Sequence, residues 1–139
     1  MIKDLLSTYI FLIPLVVGLL SEALKIMTEG IENGKWHEGL FRPGGMPSSH
    51  SALVTSLLII VGYRAGLDSV PFAIAFVFAS IVWYDAMSSR RAIGKQAEVL
   101  NRLQHWEHFS ERLGHSLKEV VGGIIFGAAV TVCGILISS

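Results

Sequence analysis

Four stretches of the chain are apolar almost without interruption, roughly 8–28, 48–65, 69–87 and 116–138, and polar residues gather between them. The runs are continuous rather than alternating, which favours helices over the strands of a barrel. Each approaches the ~20 residues needed to cross a hydrocarbon core about 30 Å thick. The second is the shortest and implies tilt, or a first turn buried among its neighbours. The first span is too long for a cleavable signal and lacks a small-residue cleavage site. Between the third and fourth spans, Ala97, Leu100, Leu103 and Trp106 recur at helical spacing, interleaved with Lys95, Glu98, Arg102 and Glu107. That pattern predicts a short amphipathic helix lying at a membrane interface. The expected fold class is therefore all-α: an integral membrane bundle of four transmembrane helices with one interfacial helix, forming a single membrane domain over 1–139.

Composition agrees. Of the 139 residues, 52% are hydrophobic and only 16% charged, against ~25% charged in soluble domains, and mean hydropathy is +0.57. The formal net charge is zero, so there is no electrostatic case for nucleic acid. One cysteine, Cys133, excludes a disulfide framework and a cysteine metal site.

Charge also orients the bundle. Four spans put both termini on one side. The connections 29–47 and 88–115, with the adjoining helix ends, carry Lys25, Lys35, Arg42, Arg90, Arg91, Lys95, Arg102, Arg112 and Lys118, whereas the other side holds only Lys3 and Arg64. The positive-inside rule makes those two connections cytoplasmic.

The candidate chemistry lies at that same boundary. In Gly44-Gly45-Met46-Pro47-Ser48-Ser49-His50-Ser51, a permissive turn leads into a helix start, where backbone N–H groups and the positive dipole end suit a phosphate. Arg42 precedes the turn. His115 and Glu119 stand four residues apart, on one helix face, so the carboxylate can orient the imidazole and leave its other nitrogen as nucleophile or base. Asp85, an acid at a span's end, needs a partner, for which Arg90 and Lys95 are the candidates. Two histidines, a carboxylate and several cations suit phosphoryl transfer through histidine, one ring attacking phosphorus and the other protonating the leaving oxygen. The plainer alternatives are a helix cap at Ser48, Ser49 and His50, an ordinary surface pair at His115 and Glu119, and helix-packing contacts at Gly122, Gly123 and Gly127.

These residues also carry a resemblance. Lys35 to Pro43 fits Lys-x6-Arg-Pro, Pro47 to His50 fits Pro-Ser-Gly-His with Ser49 in place of Gly, and His115 with Glu119 fits the end of Ser-Arg-x5-His-x3-Asp with Glu in place of Asp. Together with Tyr84-Asp85-Ala86, Arg90-Arg91-Ala92, Gly94 to Asn101 and Gly114-His115, they make the chain resemble the divergent branch of the type-2 phosphatidic acid phosphatase and vanadium haloperoxidase superfamily. The resemblance implies a lipid-phosphate phosphatase working without metal or cofactor, and the charge asymmetry places its site on the cytoplasmic side of what is expected to be a bacterial plasma membrane. His115 would be the nucleophile, Glu119 its orienting group and His50 the general acid. Arg42 and Arg90 would clamp the phosphate and Ser49 would complete its cradle; Ser48, Arg91 and Lys95 are counted with them as substrate-binding candidates, and Asp85 has a structural or substrate-orienting role. Lys25 and Lys35 compete for one phosphate contact, and Arg90 and Arg112 for another. A non-catalytic lipid-phosphate binder or carrier would use the same cations. Four helices enclose little, so a homo-oligomer packed through the glycines of the last span is expected.

Overall fold

The computed structural model describes residues 8, 10–34, 36, 45–111 and 114–138. Five helices occupy them: α1 Leu12–Asn33, α2 Ser49–Ala65, α3 Val70–Met87, α4 Ser89–Leu103 and α5 Leu117–Ser138. No strand occurs among the described residues.

Local chemistry sets most of the boundaries. Pro14 sits in the first turn of α1, where a missing N–H costs nothing. Gly34 ends that helix in the left-handed region at φ 66°, its N–H donating to the Gly30 carbonyl. The Ser48 hydroxyl caps α2 by accepting from the Ser51 N–H, and Ser69 caps α3 by accepting from the Phe72 N–H. Gly66, at φ 90°, turns the chain between α2 and α3. Before α5, Ser116 and Glu119 form a reciprocal capping box: the Glu119 N–H donates to the serine hydroxyl and the Ser116 N–H to the carboxylate.

The first helix departs from the sequence expectation. It begins at Leu12 and runs five residues past position 28, to Asn33, because Glu29 and Glu32 are good helix formers and nothing breaks the helix before Gly34. Of the described helices, α5 and the α3–α4 continuum combine the length and apolarity needed to cross a membrane. α1 carries Glu22, Lys25 and Glu29 along its length, and α2 has only 17 residues.

α2 is the hub, packing against α1, α3 and α5, while α1 also meets α5 and α4 leans on α3. Its approach to α5 is close because α5 presents glycine. A Cβ at Gly123 would lie 2.4 Å from the Ser48 carbonyl oxygen, and one at Gly127 would lie 2.4 Å from that of Ala52. Ile13, Val17, Ala52 and Ile60 form the core, with Phe126, Val130 and Ile135 against it. These glycines are filled from within the same chain, so a second copy would have to use another face.

α3 and α4 are nearly one helix. The Ser88 N–H donates to Tyr84 and the Ala92 N–H to Ser88, so the helical ladder passes through the junction. Beyond α4 the chain folds back. Asn101 holds Phe109 and Glu111, and Gln104 caps the turn at Trp106 and Glu107. The return ends with Gly114 against the backbone of Arg90 and Arg91.

Candidate functional site

Gly114 is the residue that makes the site possible. Its φ is +98°, and a Cβ there would sit 2.5 Å from the Arg91 backbone nitrogen. Only glycine lets the returning chain touch the start of α4 this closely. The next residue, His115, then donates its backbone N–H to the Ala86 carbonyl at 3.0 Å. The histidine is thereby fixed beside the α3–α4 junction that bears Asp85 and Arg90, and it is 8% exposed.

Burial pushes the His115 pKa below its ordinary 6.5, since the imidazolium loses hydration there. Glu119 opposes the shift, while the positive charges of Lys25, His50 and Arg90 reinforce it. Burial thus favours the neutral ring, the form a nucleophile requires. Lys25 from α1, His50 from α2, Arg90 from α4 and Glu119 from α5 thus lie within electrostatic range of His115. His50 in turn feels Arg90, Glu22, Lys25 and Asp85.

On α1, Lys25 is 3% exposed and its Nζ lies 3.3 Å from Glu22 Oε1. The Ser49 hydroxyl donates to the same Glu22 oxygen, tying α1 to the first turn of α2. Glu22 Oε2 is buried and accepts no hydrogen bond among the described residues. Beside this cluster an open groove of about 360 Å³ runs between α1 and α2, lined by Leu15, Gly18, Leu19 and Leu53 and polar only at Glu22, Ser49 and His50.

Residues 6–130 match the Divergent PAP2 family. The chain belongs to that family. It is also 40% identical over 101 residues to the uncharacterized membrane protein YuiD of Bacillus subtilis (strain 168), a match taking in 72% of this chain and 64% of that protein. The chain thus spans less than two thirds of the curated relative it matches. No solved structure matches. Family membership and two long apolar helical stretches make this Divergent PAP2 protein a membrane protein.

Within the Divergent PAP2 chain, the residues singled out by sequence are not equally placed. Lys25 on α1, Ser49 and His50 on α2, Arg90 on α4, and His115 with Glu119 at the start of α5 bring four helices to one region. Arg90 donates its Nε–H to Asp85 Oδ2 at 2.8 Å, so Asp85 is paired with Arg90 rather than Lys95. Both are more than 40% exposed, and a pair so exposed contributes little to stability. Ser48 is buried and serves as a cap. Arg91 is exposed on α4, as is Lys95. Lys35, Arg42 and Arg112 lie outside the described residues.

Two features differ from expectation. The turn's N–H groups are already engaged: that of Gly45 donates to Glu119 Oε1 at 3.2 Å and that of Ser48 to the Glu119 carbonyl, also at 3.2 Å. Glu119 therefore joins the turn to α5 and caps α5 at once. Its Oε2 stays 3.8 Å from His115 Nδ1, too far for a hydrogen bond, and that Nδ1 is buried without a partner among the described residues. Glu22 is not among the sequence candidates. The available signal is a carboxylate inside an apolar stretch, three residues before a lysine, a rare and costly placement.

Proposed function

We propose that the protein is a lipid-phosphate phosphatase that hydrolyses a phosphate monoester or diphosphate, phosphatidic-acid-like or polyprenyl, through a phosphohistidine on His115. The observation that carries this reading is the meeting of an apolar groove with a cluster of two histidines, Lys25, Ser49 and Arg90. The groove takes the lipid tail and the cluster takes the phosphate. His115 Nε2 attacks phosphorus as the ester P–O bond breaks, and His50 gives the leaving oxygen a proton. Water then attacks the phosphohistidine, His50 takes its proton, and orthophosphate leaves with His115 restored. Lys25 and Arg90 neutralise the equatorial oxygens, and Arg42 is assigned to the same clamp.

In this reading four helices cross a bacterial plasma membrane, the connections 29–47 and 88–115 face the cytoplasm with the site, and α4 rests near the interface through its exposed Ile93, Leu100 and Leu103. The protein works as a homo-oligomer joined away from the buried glycine face of α5. The test is phosphate release from a panel of lipid phosphates in detergent. His115→Ala and His50→Ala should each lose about 10²–10⁴-fold in rate. Unchanged release in both variants would refute the assignment.

A second reading, a non-catalytic lipid-phosphate binder or carrier, draws support from the 3.8 Å gap between Glu119 and His115, which leaves the ring without its orienting hydrogen bond. It expects binding without turnover in the wild type.

A further inference from the structure

Glu22 stands where an anion belongs. Lys25 Nζ from α1 and the Ser49 hydroxyl from α2 both converge on one of its oxygens, and Glu22 itself lines the polar end of the groove. A carboxylate beside a phosphate site repels a phosphate anion at close range. A carboxylate that also holds that site's donors competes for them. Its second oxygen is buried and unpartnered among the described residues, so these two donors are what hold it there, and a stronger acceptor can draw them off.

We propose that Glu22 is the internal competitor of the phosphate and sets the specificity of the site, admitting phosphates that carry an apolar tail and discriminating against free orthophosphate. The inference rests on the phosphate-site reading above. A tailed ligand gains contact with Leu15, Leu19 and Leu53 along the groove, and that gain offsets displacement of the carboxylate. Orthophosphate has no tail and must displace Glu22 unaided. After hydrolysis the carboxylate reclaims Ser49 and Lys25 and helps expel the product.

The test is calorimetric binding of two non-reacting probes, orthophosphate and dodecylphosphonate, to the full chain in detergent. Wild type should bind the phosphonate well and orthophosphate poorly. Glu22→Gln should bind orthophosphate about tenfold tighter, the loss of a charged acceptor, and so narrow the gap between the probes. Glu22→Asp, which keeps the charge, should stay close to wild type. Equal or weaker orthophosphate binding by Glu22→Gln, with phosphonate binding intact, overturns this inference and leaves the phosphate site standing. Absence of binding by both probes to wild type and variants alike overturns the site reading and this inference with it. A second readout needs no neutral variant: infrared difference spectra of the wild type with and without phosphonate should show a shifted carboxylate stretch. A difference spectrum lacking any carboxylate band also overturns the inference.

Discussion

His115 gives the folded protein one source of pH dependence. Its folded pKa lies below 6.5 because burial strips the cation of water. As pH falls below 6.5 the unfolded chain takes up the proton first, so this histidine draws the equilibrium toward unfolding until the lower folded pKa is reached. Its contribution changes little above 6.5 and falls by up to about 1.4 kcal/mol per pH unit in the window beneath. Thermal unfolding in detergent at pH 7.5 and pH 5.5 checks this, and His115→Gln should shrink the difference between the two. Several residues of the candidate site are legible in the sequence alone: His50, His115 and Glu119 stand out as polar groups at the ends of apolar runs. What Glu119 touches is not. Its contact with the Gly45 N–H joins residues 74 apart, and no local pattern reports such a pairing. The Ser49–Glu22 bond, spanning 27 residues, is hidden for the same reason.

The elements are the most readable part of the chain. Serines before α2 and α3, Gly66 between them and the apolar runs themselves mark three helices to within a residue or two. The first helix overruns its expected end because its last turns are polar, and hydropathy cannot distinguish a polar helix from a loop. The contact between α2 and α5 is where packing is least forgiving. Gly127 faces the backbone of Ala52: a Cβ at this glycine would stand 2.4 Å from the carbonyl oxygen and 2.8 Å from Cα, and a carbonyl on a packed helix cannot swing aside. Gly127→Val should therefore lower stability by about 1–3 kcal/mol, the usual cost of overpacking, whereas Gly34→Ala, where nothing lies within 4 Å, should cost only the strain of its positive φ. Thermal melts of the two variants side by side separate packing from backbone strain.

At the scale of the whole molecule, the site depends on the chain leaving α3, running out along α4 and returning at Gly114, so the placement of that excursion relative to the membrane matters most. With Cys133→Ser as background, Ser110→Cys should react with a membrane-impermeant thiol reagent only from the cytoplasmic side and Asp68→Cys only from the other. Labelling of both from one side would contradict the four-crossing arrangement. Beyond topology stands the chemistry. The most direct measurement is a rapid-quench trap using a lipid phosphate labelled with ³²P. Attack by His115 predicts acid-labile label bound to the protein, mapped to the peptide holding His115 and lost in His115→Ala. Turnover with no label on the protein, or label that survives His115→Ala, would contradict it.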